Sequence, residues 1–418
     1  MSAAREVRIE KLAPTGEGIV RGPDGVGFVD GALPGELVAT TLYEVRKRFW
    51  RGSVRAVLEP SPDRVGGPHA GCAGCDWSHF AEAAARDAKR GLFLETMRRI
   101  GRLDPELFGA SPIAASKPGY RMRLRLHADG GRVGYYAPGT HRLAGAGDCD
   151  AIAPGTRALL PAIEDAIRGS GAAVEEVAIL ESRSGDRRLV RVTASGEALP
   201  ATRLAEALAG HFGGVRVLAA AGSVLVERGD PALGLDVEGR PFSVSVDTFF
   251  QGDRFLVGTL FDDVGREARC VSPGDALDAF GGVGLFAGAL LAAGHRVVSV
   301  ESDAGAIHDA GRTRDLWKDG ERWEIAAASV SDFLEDDDRS FDLVVADPPR
   351  AGLGSALASA LARRAKTRFV YVSCDPATLA RDLPAILAEG FAIRSTRLFD
   401  LFAFTHRVEA LVALERAA

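Results

Sequence analysis

Five short stretches of this chain hold residues whose types and spacing could do chemistry. Asp278-Ala-Phe280-Gly281-Gly282-Val283-Gly284 ends an apolar strand and opens a helix. At such a turn backbone N–H groups and bare glycine surfaces face a ligand, and Glu301 closes the next strand at about the ~20-residue spacing that lets an acid reach ribose hydroxyls. A nucleoside cofactor suits that arrangement, although Gly282-x-Gly284-x-x-Ala287 also fits a loose dinucleotide pattern, and a turn that only packs a helix has the same letters. Asp347-Pro348-Pro349-Arg350 follows FDLVVA and so places a carboxylate on a rigid loop at a strand end. The paired prolines fix φ and remove donors, which lets the loop present flat backbone and an acid to a planar base; a plain strand-ending turn is the simpler reading. Cys374 ends RFVYVS, and Asp375-Pro376 begins a helix whose first amides would favour a thiolate. A nucleophile belongs there, against the general tendency of cysteine to be a small buried apolar residue. Glu409 opens the last strand among apolar neighbours, where burial would raise its pKa toward proton-transfer duty; simple surface exposure is the alternative.

The elements that must position these residues are regular. From about residue 241, strands DALDAF, RVVSVE, WEIAAA, FDLVVAD, RFVYVS, AIRSTRLF and HRVEALVALE alternate with helical segments, most of them apolar throughout as central strands are. That is a doubly wound α/β domain, with ligands expected at the carboxyl ends of its strands. Residues 5–58 show short strand-like runs between Gly and Pro turns, the pattern of a small β-barrel. A Pro-, Gly- and Cys-rich junction and an amphipathic helix over 78–103 follow, then an α+β pattern to about residue 240. Three units are expected: 1–58, 59–240 and 241–418.

The chain has 418 residues, a formal charge of −6 and five cysteines. No apolar run approaches the ~20 residues of a membrane span, and the charged N-terminus does not read as an export signal, so a cytoplasmic location is expected. An odd number of cysteines does not make a disulfide framework. The acidic total argues against a general nucleic-acid binder, yet basic residues cluster in the first third. Among them Arg121, Arg123 and Arg125 alternate along one strand and would share a face, suited to phosphate or to ordinary solvent.

Together, Phe249-Phe250-Gln251, DAFGGVG, Glu301, DPPR, YVSCDPATLARDL and the terminal THRVE resemble the RNA 5-methyluridine methyltransferase family, over nearly the whole chain. The first 58 residues look like its TRAM domain, an OB-like barrel. The resemblance implies a class I methyltransferase, Rossmann-like catalytic domain with S-adenosyl-L-methionine as cofactor. It implies that Gln251, Asp278, Phe280, Gly282, Gly284, Glu301 and Asp347 hold the cofactor, with Asp347 also positioning the target base. Cys374 would be the nucleophile at uracil C6 and Glu409 the base that removes the C5 proton, with Arg350 at the RNA. The implied partner is RNA, ribosomal first and transfer RNA second, read by a monomer. Family members often carry an iron–sulfur cluster on four cysteines; Cys72, Cys75 and Cys149 match three, and glycine stands at the first position. Colourless protein without the cluster is expected. Ser329, Ala403 and Arg407 stand where the family usually has an acid, a Pro and a His. A nicotinamide dehydrogenase would share the glycine loop but leaves DPPR and Cys374 without a role. An amino-group methyltransferase of adenine or guanine would use DPPR without a thiol, and a non-enzymatic RNA-binding protein would use the barrel alone.

Overall fold

A computed structural model describes residues 4–23, 25–66, 74–137, 140–195 and 198–417. Its first sheet has six strands in the order Ala4–Arg8, Leu37–Val45, Phe49–Glu59, Gly25–Asp30, Gly18–Gly22, Lys11–Leu12. Leu37–Val45 alternates half-buried and buried residues, the period-two pattern of a strand with one face on a core. That core is small: Ile9, Val29, Val38, Leu42 and Trp50. The result is the barrel-like unit expected at the N-terminus.

A seven-stranded sheet runs between Arg123 and Gly229. The helices Leu160–Ser170 and Ala198–Leu208 pack Ile163, Ile167, Leu204 and Leu208 against Val177, Ile179, Val190 and Val192 of its strands. Strands and helices here segregate into layers, which makes this region α+β.

The C-terminal sheet has eight strands in the order Trp323–Ala327, Arg296–Glu301, Asp275–Ala279, Phe341–Ala346, Ala365–Ser373, Glu409–Arg416, Phe391–Phe399, Ile113–Ala114. All seven strands read from the sequence are present. The eighth, two residues long, pairs with the end of Phe391–Phe399 through Leu398 and Phe399. Because side chains alternate across a sheet, Leu343 and Val345 join the apolar cluster on one face while Val344 and Ala346 join that on the other. Both faces are therefore covered, which explains the uninterrupted apolar runs. These two clusters also draw on residues before 241: Leu233, Leu235 and Val237 on one face, Phe93 and Met97 on the other. Burying a side chain such as Phe93 contributes about 1.5–3 kcal/mol, enough to tie the Glu82–Thr96 helix to the sheet.

From Asp275–Ala279 the chain moves outward to Arg296–Glu301 and Trp323–Ala327, then returns to the other side for Phe341–Ala346. The crossover leaves a crevice at the carboxyl ends of Asp275–Ala279 and Phe341–Ala346, the switch point where doubly wound sheets bind ligands. No helix among the described residues is long and apolar enough to cross a membrane.

Candidate active site

Register alone brings the expected residues together. Ala279 pairs with Ala346, so Phe280 and Asp347 leave the sheet side by side. Ala346 pairs with Tyr371, and two residues further on Ser373 pairs with Ala410 of the antiparallel neighbour. The next residue outward on one strand is Cys374, and on the other it is Glu409. Thiol, carboxyl and DPPR loop thus converge at one sheet edge from positions as far apart as 347 and 409.

The glycine loop has the backbone its sequence requires. Phe280, Gly282 and Gly284 have φ of 66°, 53° and 95°, the left-handed region in which a side chain is strained. At Gly284 a Cβ would also lie 2.2 Å from the Trp323 ring. Asp278, fully buried beneath the loop, accepts hydrogen bonds from the Ala287 N–H and the Ser299 hydroxyl, both at 3.1 Å. Burial pushes its carboxyl up to about 7, so it acts as an anchor of the turn. Glu301 accepts from the N–H groups of Gly282 at 3.0 Å and of Ser302 and Asp303 at 2.7 Å. Gln251 is buried, and its amide donates to Asp347 at 3.2 Å, so these two residues, 96 apart in sequence, form one polar pair over the switch point. The Ser329 hydroxyl caps the Val330–Asp336 helix, accepting from the Asp332 N–H at 3.1 Å.

The DPPR loop is fastened by the helix after Cys374. Asp382, buried in Pro376–Ala388, accepts from the Leu353 N–H at 2.8 Å and the Tyr371 hydroxyl at 2.9 Å. Arg381 donates to the Ala351 carbonyl at 2.8 Å. Asp382 lies inside the run YVSCDPATLARDL, but nothing in its letters marks it as the residue that holds a loop 29 positions earlier.

The electrostatics correct one expectation. Helix amides do not favour the Cys374 thiolate as the sequence suggests, because the Asp375 carboxylate takes the Ala377 and Thr378 N–H groups, at 2.8 and 3.2 Å. Burial, then the Glu409 and Asp347 carboxylates, push the Cys374 thiol up to about 11. Glu409 is itself buried, and desolvation with the nearby Asp347 charge raises its carboxyl well above the ordinary range, Arg350 opposing. Burial brings Asp347 to about 7, with the Gln251 bond opposing. Three acids meet at one sheet edge, and desolvation raises each above its ordinary range.

The basic residues divide. Arg350 is exposed beside the site. Arg125 is largely exposed and paired with Glu176. Arg123 does not fit the expected phosphate face: it is turned inward, donating to the carbonyls of Thr248 and, at 3.3 Å, Val246. Arg121 is likewise engaged, donating to the hydroxyls of Tyr120 at 3.1 Å and Tyr135 at 3.3 Å. The strand begins at Arg123, with Arg121 outside it in isolated bridges to Ile152 and Asp253, and which face is solvated depends on neighbours that the strand's own letters do not reveal.

Of the three cysteines matched to cluster ligands, Cys72 lies outside the described residues. Cys75 and Cys149 are buried and hydrogen-bonded to each other, and that contact brings the Cys149 thiol down to about 6. The two remaining cysteines are elsewhere, Cys270 exposed after the Val257–Arg269 helix and Cys374 at the sheet edge. At most three thiolates can meet, and a four-cysteine cluster does not fit this donor set. Among the described residues no group of three or more His, Cys, Asp or Glu side chains is arranged to hold a metal ion.

A glycine loop with Glu301 at the end of the next strand, at the switch point of a doubly wound sheet and beside an acid on a proline loop, is an arrangement that fits an S-adenosylmethionine-dependent methyltransferase. The comparisons with known proteins agree and go further. The family model for tRNA (uracil-5-)-methyltransferase matches residues 331–417. An RNA methyltransferase of Streptomyces avermitilis is 33% identical, over 100% of this chain and 99% of its own length. The 23S rRNA (uracil(1939)-C(5))-methyltransferase RlmD of Halomonas elongata is 30% identical over 98% of this chain and 89% of its own. The crystal structure of Pyrococcus abyssi tRNA (uracil-54, C5)-methyltransferase, solved with S-adenosyl-L-homocysteine, has the same fold: TM-score 0.81 over 98% of this chain and 99% of that one, at 21% identity. This chain belongs to the RNA uracil-C5 methyltransferase family. It is an S-adenosylmethionine-dependent enzyme acting on RNA, which sets aside the dehydrogenase, amino-group and non-enzymatic readings.

Proposed function

We propose that the chain methylates C5 of a uridine in large-subunit ribosomal RNA through a covalent bond from Cys374. The register that sets Cys374 opposite Glu409, one strand from Asp347, carries this reading. Carbon 5 of uracil is a poor nucleophile until the ring's conjugation is broken. The Cys374 thiolate adds to C6, and the electron pair moves through C5 to O4 as an enolate. The cofactor supplies an electrophilic methyl group on sulfur. Carbon 5 would take that methyl as the methyl–sulfur bond breaks and its electron pair stays on sulfur, leaving the neutral thioether. The Glu409 carboxylate then removes the C5 proton, and the bond from C6 to Cys374 breaks as the C5–C6 double bond returns and the thiolate leaves. Gln251, Asp278, Phe280, Gly282, Gly284, Glu301 and Asp347 line the cofactor side, and Asp347 orients the base. A uridine reaches this edge only when turned out of its stack, so a loop or other single-stranded RNA suits the site.

Whole-length likeness to proteins named for 23S ribosomal RNA supports that target over transfer RNA. Incubating the enzyme with radiolabelled S-adenosylmethionine and either large-subunit or transfer RNA transcripts separates the two. Label as 5-methyluridine in the ribosomal transcript is expected; label only in transfer RNA would move the target. We further propose a monomer working in the cytoplasm, its three units bounded near residues 58 and 240.

Two expectations follow from the geometry. Because Cys374 and Glu409 must both lose protons and both are held above their ordinary pKa, the rate should rise with pH. The expected slope between pH 7 and 9 is at least about tenfold per pH unit, the contribution of the Cys374 thiol alone, and steeper where the Glu409 carboxyl also titrates. A flat profile would show that the thiol is already ionised in the RNA complex. Arg350 and Arg125 are the arginines placed to meet phosphate. Arg125→Ala should reduce the log–log salt slope of RNA binding by about 1. Arg123→Ala should leave that slope alone and lower stability by about 1–3 kcal/mol, since two carbonyls lose a donor. Equal effects of the two substitutions on the slope would contradict this division.

A further inference from the structure

Phe399 pairs with Glu409, so the chain between these neighbouring strands makes an excursion over residues 400–408 and returns to its starting point. Within it Phe404 takes a φ of 66°, which a non-glycine residue holds only when its surroundings force it. The forcing comes from far away in sequence. Lys89, 1% exposed in the Glu82–Thr96 helix, is ion-paired to Asp400 and donates to the Phe402 carbonyl at 3.2 Å. The Tyr120 hydroxyl donates to the Ala403 carbonyl at 3.3 Å, and the Trp77 N–H to the Phe404 carbonyl at 2.8 Å. Asp76 accepts from the His406 N–H at 3.3 Å and lies 2.5 Å from its ring. The Asp400 N–H donates to the Ala114 carbonyl at 2.8 Å. Among the described residues, every hydrogen-bond partner of the excursion outside itself lies between residues 76 and 120.

Glu409, where the excursion ends, has no such support. Its Oε1 is buried without a hydrogen-bond partner among the described residues. No side chain among the described residues holds that oxygen, so the aim of Glu409 depends on its pairing with Phe399 and on the excursion that leads into it. We propose that Lys89 is a positioning residue for proton abstraction: through Asp400 and the Phe402 carbonyl it fixes the loop that delivers Glu409. This rests on the reading of Glu409 as the base. Lys89 touches neither RNA nor cofactor in this role. Its loss should therefore slow the step after methyl transfer and leave both binding steps intact.

Lys89→Met alone strands a buried carboxylate, so the informative variant is Lys89→Met/Asp400→Asn, which removes both charges. Its affinities for S-adenosylmethionine and a uridine-rich hairpin RNA should stay near those of the wild type, while its thermal midpoint falls by only a few degrees as the Phe402 carbonyl loses its donor. Its saturating rate should fall about tenfold, and methylated protein–RNA adduct should accumulate on a denaturing gel. Should that variant not fold, Asp76→Ala and Asp76→Asn test the same loop from an exposed residue. Adduct should build up with alanine and be relieved by asparagine, which keeps an acceptor for His406. A full rate with no extra adduct, or a loss confined to RNA affinity, overturns the proposal. If Glu409→Gln itself accumulates no adduct, the base assignment fails first and the role of Lys89 falls with it.

Discussion

Cys374→Ala should lower methyl transfer by about four orders of magnitude or more, and no covalent RNA complex should form. Without sulfur at C6 the uracil ring keeps its conjugation, and C5 has no electron pair to offer the cofactor. The fold should not suffer, because Cys374 is half-buried and its side chain makes no structural hydrogen bond among the described residues. A stability change under about 1 kcal/mol is expected, as for a small substitution away from any network. Retained affinity for S-adenosylmethionine, measured calorimetrically, separates loss of chemistry from loss of structure. Methylation by this variant at even one-tenth of the wild-type rate would remove Cys374 from the mechanism.

Glu409→Gln should fail at a different step. The amide has the size and burial of the acid, so the thiol can still add and the methyl can still transfer. The C5 proton then has no acceptor, elimination stalls, and methylated enzyme–RNA adduct should accumulate while turnover falls about 10²–10⁴-fold. Raising the pH should not restore it, since an amide has no proton to lose in this range, whereas the wild type should quicken as its carboxyl ionises. Normal turnover by this variant would assign proton removal to another group, with Asp347, whose charge bears on Glu409, a candidate.

The sequence is most informative where chemistry and local structure share the same letters. The strands of the C-terminal sheet are legible because each is buried on both faces and so is apolar throughout. The glycine loop is legible because φ at Gly282 and Gly284 restricts the residue type. Cys374, Glu409 and Asp347 stand out as chemistry-bearing residues, but their meeting depends on the antiparallel pairing of Ala365–Ser373 with Glu409–Arg416, which the letters do not specify. Arg123 shows the opposite limit: alternation fixes its face, while the carbonyls of Val246 and Thr248, about 125 positions away, decide that the face is filled. Lys89 belongs to a basic cluster of the first third and Asp400 to the approach to the last strand, and neither gives any signal of their pairing. A lysine on an amphipathic helix reads as a solvated residue, and its partner lies 311 positions downstream. The short strand Ile113–Ala114 escapes notice for a related reason, since two residues carry no periodicity.

The most direct test of uridine C5 methylation through Cys374 is to trap the intermediate. RNA transcribed with 5-fluorouridine presents a C5 that can be methylated but carries no proton for Glu409 to remove, so the C–S bond should persist. Protease and nuclease digestion followed by tandem mass spectrometry should then recover the peptide containing Cys374 joined to a 5-fluoro-5-methyl-dihydrouridine nucleotide. Its formation should require S-adenosylmethionine. A methylated RNA product with no protein adduct, or an adduct on any residue other than Cys374, would contradict the mechanism.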